Sequence, residues 1–167
     1  MQQFKQKTTR DAHRGSVLVE AVVAAGITLM ILMGAITAFS FLYRRAINNM
    51  AYIQAAFLGE EGLEAARILR DSGWNTNIAS QTPGVGVYLY FDGATWKATS
   101  TKTFIDQTFE RVVVFDNVYR DSNQNIVSSG GTLDTDIKKV TASVSWSTRG
   151  ATTTRVLSMY LANVFKN

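Results

Sequence analysis

The sequence predicts an α+β protein: one long N-terminal helix, half membrane-spanning and half amphipathic, packed on a C-terminal antiparallel β-sheet. Three observations predict it. Ala21 to Tyr43 is a run of 23 residues without a formal charge. No proline stands between Met1 and Thr82 to interrupt a helix. From Val85 onward, apolar and polar residues alternate in short runs separated by turn clusters.

Residues 1–15, MQQFKQKTTRDAHRG, read as a basic leader: Lys5, Lys7, Arg10 and Arg14 stand against Asp11 alone. Most of the net charge of +4 sits in this tail, and the rest of the chain is close to neutral. A nucleic-acid-binding domain keeps its basic surface on the folded part. A basic tail beside an apolar run is instead a topology signal, expected to stay in the cytoplasm.

Residues 16–43 are the expected membrane span, since about 20 apolar residues cross a bilayer core. The run closes at Arg44-Arg45. A cleaved secretory signal is the rival, with Ala35 and Ala38 as cleavage-site residues, but its apolar region is usually about 7–15 residues and this run is longer. Glu20 sits just inside the span. A carboxylate in hydrocarbon is expensive and therefore a functional candidate; the plainer reading is that it lies near the interface and reaches the headgroups.

Residues 44–73 continue the helix in amphipathic form. Ile47, Met50, Ile53, Phe57, Leu58, Ala65, Ile68 and Leu69 fall near one face, with Asn48, Asn49, Glu60, Glu64, Arg67 and Arg70 opposite. Glu61 points into the apolar stripe, and Gly59 and Gly62 each cost about 1 kcal/mol against alanine. The cluster RDSGW ends the helix, with Gly73 as its cap. A helix from Val17 to Asp71 would be on the order of 80 Å long.

Residues 74–167 are expected to form the β domain. Val85, Val87, Leu89 and Phe91 alternate up to an Asp92-Gly93 turn, and ATWKAT returns as a hairpin. TFERVVVFDNVYRD is a less regular strand ended by DSNQN. Val140, Ala142, Val144 and Trp146 alternate with polar residues, and an Arg149-Gly150 turn leads into a last strand.

Few residues offer chemistry. The chain has no cysteine, and its one histidine is His13, in the leader. Thiol catalysis and Cys-type zinc sites are therefore not expected and, if that leader is removed, neither is Ser-His-Asp chemistry; the chain reads as no enzyme. Asp121, Asn123 and Asn125 open like a calcium loop, with Asp134 and Asp136 as helpers, but Ile126 and Thr132 stand where an EF-hand needs Gly and Glu. A polar turn explains the same residues. Lys138, Lys139, Arg149 and Arg155 make either a small basic patch for DNA or ordinary solvated strand faces; no nucleic acid is expected. Tyr88, Tyr90, Trp96, Trp146 and Tyr160 read as core and cross-strand packing before they read as a sugar platform. Glu60, Glu61 and Glu64 read as a solvated helix face or subunit contact.

A basic leader ending in Gly15, then Ser16, a glutamate at Glu20, an apolar helix, an amphipathic continuation and a sheet: this arrangement resembles a type IV pilin or pseudopilin. The resemblance implies cleavage by a prepilin peptidase between Gly15 and Ser16, with N-methylation of the new Ser16 amine. It implies insertion in the inner membrane with the C-terminal domain outside, then assembly with other pilin subunits on an inner-membrane platform. The product would be an extracellular pilus or the shorter periplasmic filament of a type II secretion or competence machine. Glu20, one helical turn from Ser16, would neutralise that amine in its own chain or a neighbour's during docking. Three features depart from the common pattern. Ser16 stands where phenylalanine is usual, Gly26, Gly34 and Thr37 stand in an apolar helix that often carries proline, and the C-terminal cysteine pair is missing. From a different class, a plain single-pass anchor carrying an external binding domain fits the same span and predicts an uncut N-terminus.

Overall fold

The computed structural model describes residues 7–148 and 150–166, with the backbone alone for 7–15 and 48. The chain forms two compact units, Met1–Asn49 and Met50–Asn167. Helix α1 runs Lys7–Ser72, starting ten residues before the expected Val17 and passing through Gly15 and Ser16. No proline or turn cluster in this stretch stops it.

The second unit is the C-terminal part of α1, a π-helical turn Asn75–Ala79 and one antiparallel sheet. The strands are β1 Gly86–Phe91, β2 Trp96–Thr99, β3 Phe104–Ile105, β4 Phe109–Arg120, β5 Ile126–Val127, β6 Thr132–Thr148 and β7 Ala151–Ala162. Their order is β2-β1-β4-β6-β7, with β3 and β5 also pairing β4. The fold is α+β, a long N-terminal helix packing on a C-terminal antiparallel sheet, and the architecture is pilin-like.

Strand phase explains which face is buried. On β6, Val140, Ala142, Val144 and Trp146 are buried, and β4 buries Phe109, Val113 and Phe115. The register sets Val144 beside Arg111 and Ala142 beside Val113, so these side chains share the helix-facing side. The other side is largely polar, with Glu110, Ser145 and Thr154 in one row and the Ser145 and Thr154 hydroxyls 2.9 Å apart. One wet face and one covered face is the ordinary economy of an antiparallel sheet.

The helix buries only part of the expected stripe: Ala65 and Leu69 are buried and Leu58 is half-buried. Met50, Ile53, Phe57 and Ile68 are exposed. The rest of the buried face is made of small residues outside that stripe, Ala55, Gly59, Gly62 and Ala66. A Cβ on Gly59 would stand 2.6 Å from Leu157 Cδ1, and one on Gly62 would stand 2.9 Å from Arg111 Cδ. The glycines that weaken the helix locally let the sheet approach it, and close packing returns that cost.

Glu61 is answered as well. Arg111, buried on the helix side of β4, donates from Nη1 to Glu61 Oε2 at 2.8 Å and to the Leu58 carbonyl at 3.1 Å. Its Nη2 donates to the Leu89 carbonyl at 3.1 Å, and its guanidinium carbon lies 5.4 Å from the centroid of the Trp96 ring. Its Nε has no hydrogen-bond partner among the described residues.

The helix ends as expected at Gly73, whose φ of +151° disfavours a side chain. Its N–H donates to the Arg70 carbonyl at 3.1 Å. The π-helical turn, for which the sequence shows no periodic signal, places Ile78 in the core and brings Asn77 back to donate to the Leu69 carbonyl at 3.1 Å. That amide satisfies one of the carbonyls a helix end leaves open. The β1–β2 hairpin has a four-residue loop, Asp92 to Thr95, rather than a two-residue turn. Asp92 Oδ1 accepts the N–H groups of Ala94 at 3.0 Å and Thr95 at 2.8 Å, which holds the longer loop closed.

Candidate functional site

In the first unit every side chain from Ser16 to Ile47 is exposed. Ser16, Val19, Glu20, Val23, Ala24 and Ile27 line one side of α1, so the helix places Glu20 one turn from Ser16 amid apolar neighbours. Glu20 has no ion-pair partner among the described residues. The side chains of Lys7, Arg10, Asp11, His13 and Arg14 lie outside the described residues, as does Lys5 altogether.

The two threonines of the apolar run are answered within it. Thr28 Oγ1 donates to the Ala24 carbonyl and Thr37 Oγ1 to the Met33 carbonyl, both at 2.8 Å. Such back-bonding lets a hydroxyl sit in an apolar medium, where an unmade hydrogen bond is costly. Apart from the adjoining backbone of the helix itself, nothing lies within 4 Å of where a Cβ on Gly26 or Gly34 would stand. Among the described residues one helix is long and apolar enough to cross a membrane.

The second unit separates several residues that the sequence grouped. Asp121 Oδ1 accepts the N–H groups of Asn123 at 2.9 Å and Asn125 at 2.8 Å, and its Oδ2 accepts the Asn125 amide at 3.2 Å. The backbone and side-chain donors of Asn125, with the Asn123 N–H, hold this carboxyl below its ordinary range. Asp134 is engaged by Arg120 Nε at 2.6 Å, and Asp136 accepts from the Asn163 amide at 3.3 Å. These contacts are those of a turn closed by its own aspartate. No group of three or more His, Asp or Glu among the described residues is placed to hold a metal ion.

Among the described residues, Lys138, Lys139 and Arg155 form no single patch. Lys138 is buried on the helix-facing side, where its Nζ donates to Asn117 Oδ1 at 2.7 Å. Burial lowers its pKa, and the charge of Asp116 opposes that shift. Lys139 points to the other side of the sheet, Arg155 stands opposite Val144, six residues along β6, and Arg149 lies outside the described residues.

The aromatic residues divide. Trp146 is buried between Phe109 and the edge-on Tyr52 ring, with centroids at 6.0 and 5.0 Å. Trp96 lies under Arg111, and Tyr88 donates to Glu110 Oε1 at 2.7 Å. Tyr90 and Tyr160 are exposed. Of the three glutamates, Glu64 pairs with Arg67 at 2.8 Å and Glu61 with Arg111.

Arg111 is the residue that sequence reasoning passed over. Its one signal was position, an arginine in the inward phase of a strand facing a helix with an inward glutamate.

The chain matches no family model, no curated protein and no solved structure. Its likeness to pilins therefore rests on architecture and on the Gly15-Ser16…Glu20 arrangement.

Proposed function

We propose that the chain is a structural, non-enzymatic subunit of a type IV pilus-like filament, inserted in the membrane as a prepilin, cut after Gly15 and assembled through its N-terminal helix. One observation carries the reading. The helix is exposed on all sides from Ser16 to Ile47, while its continuation from Ala55 to Leu69 is keyed to the sheet by small residues. An apolar surface of that extent has no place in water. Lipid covers it before assembly and neighbouring helices cover it afterwards.

In this reading Ser16 and Glu20 act together. Cleavage creates an α-amine with an ordinary pKa of about 7.7–8.0, cationic near neutrality. Glu20 is the counter-charge, and docking at a wrong depth leaves a buried charge unpaired. Methylation of the amine keeps its charge. The partners are a prepilin peptidase, other subunits and an inner-membrane platform, with the β domain carried outside.

The test is the mass of the N-terminus after expression with a prepilin peptidase. The expected product begins at Ser16, and Gly15→Leu keeps all fifteen leader residues. A wild-type chain that stays uncut beside a cleaved control prepilin would reduce the protein to a membrane anchor.

A further inference from the structure

The outer end of the apolar run carries a cluster that neither cleavage nor helix bundling requires. The Phe39 and Tyr43 rings stack one turn apart, with centroids at 6.3 Å and planes 14° from parallel. The Arg45 guanidinium carbon lies 5.7 Å from the centroid of the Phe41 ring. All three rings are more than half exposed, and Arg44 adds a second charge beside them. Aromatic rings concentrate at membrane–water interfaces, and a guanidinium fork matches phosphate oxygens in pairs.

We infer that Phe39, Phe41, Tyr43 and Arg45 form a collar on the phospholipid headgroups of the outer leaflet, holding the helix at a depth that keeps Glu20 in the opposite headgroup layer. This rests on the membrane-inserted reading proposed above. The spacing supports it. Glu20 lies 21 residues before Phe41 and 25 before Arg45, or about 32–38 Å along a helix. The hydrocarbon core is about 30 Å thick, and an average tilt of about 20° shortens the span only slightly. With the collar at the outer boundary, the carboxylate is therefore at the inner one, hydrated, while Val23 and Ile27 enter the hydrocarbon. A slip outward by one turn, about 5.4 Å, carries Glu20 into the apolar layer. The clamp delays that transfer until a neighbouring subunit supplies the counter-charge.

The chain has no cysteine, so single cysteines report without background. They are placed one at a time at 17–25 and 38–48 of the full chain in sealed vesicles, and an impermeant maleimide is added to either side. Outer labelling is expected to begin at Tyr43 or Arg44, and inner labelling to end between Glu20 and Val22. In a Phe41→Ala, Arg45→Gln variant both boundaries shift the same way by about one turn, three to four residues. Phe41→Trp with Arg45→Lys keeps them in place. Unmoved boundaries in a variant that resists alkaline carbonate extraction overturn the collar and leave the membrane reading standing. Extraction of the wild-type chain by carbonate removes both.

Discussion

Gly62→Ala tests how the helix is keyed to the sheet. In an exposed helix this change stabilises by about 1 kcal/mol, because alanine is the better helix former. Here the new Cβ would stand 2.9 Å from Arg111 Cδ and 3.6 Å from Ala142 Cβ. If Arg111 stays, overpacking costs about 1–3 kcal/mol. If it moves, it gives up bonds to Glu61 and the Leu58 carbonyl, each worth about 1.5–3 kcal/mol for a charged group. Set against the helix gain, the first route leaves a net loss of up to about 2 kcal/mol and the second about 2–5 kcal/mol; a loss near 2 kcal/mol lowers the Tm of a unit of this size by roughly 10 °C. Two other glycines calibrate the reasoning. Gly34→Ala meets nothing within 4 Å and leaves the second unit's Tm unchanged. Gly59→Ala meets the free end of Leu157, which rotates away at smaller cost. The assay is thermal unfolding of the full chain in micelles by tryptophan fluorescence, since Trp74, Trp96 and Trp146 all lie in Met50–Asn167. A Gly62→Ala protein as stable as wild type, or more so, would refute the keying argument.

Glu20→Gln should insert and be cleaved normally yet incorporate poorly into sheared filaments. One-sided loss of a buried pair costs about 3–5 kcal/mol, more than a hundredfold in an assembly equilibrium; incorporation equal to wild type would remove the role given to Glu20. A phosphatase fused after Asn167 should be active outside the inner membrane, because the leader's positive charge outweighs that of Arg44-Arg45; activity confined to the cytoplasm reverses the orientation. Acid should destabilise the β domain. Arg120 holds the Asp134 carboxyl below its ordinary value, and Lys102, with Tyr88, does the same for Glu110. A carboxylate with a depressed folded pKa stabilises fully above about pH 4 and loses that contribution as pH falls through the folded value. The Tm curves of wild type and Asp134→Asn should therefore be apart at pH 7 and converge as the pH falls below about 4, and parallel curves would count against the ion pair.

Several elements were legible because their signals are local. The uncharged run from Ala21 to Tyr43, the cap at Gly73, the alternation of Val140, Ala142, Val144 and Trp146, and the turn at Asp121 each follow from residues a few positions apart. The buried face of the helix was only partly legible in this way. Hydropathy favoured Met50, Ile53, Phe57 and Ile68 together with Ala65 and Leu69; the sheet took the last two and filled the rest of the face with Ala55, Gly59, Gly62 and Ala66. Apolar character alone cannot say whether a residue meets the protein's own sheet or the outside.

The sequence by itself determined that one apolar helix precedes an antiparallel sheet, and it marked Gly15, Ser16 and Glu20 within a few residues of one another. Only the tertiary structure decided that Glu61 is answered by Arg111, fifty residues away, and that at two apparently weakening glycines the sheet's side chains leave no room for a Cβ. It also parted Lys138 from Lys139, burying one and exposing the other. The physical reason is the same in each case. Secondary structure is set by short-range sterics and periodicity, whereas the partner of a buried charge or a missing side chain is set by register, which exists only once the strands have paired and the helix has docked.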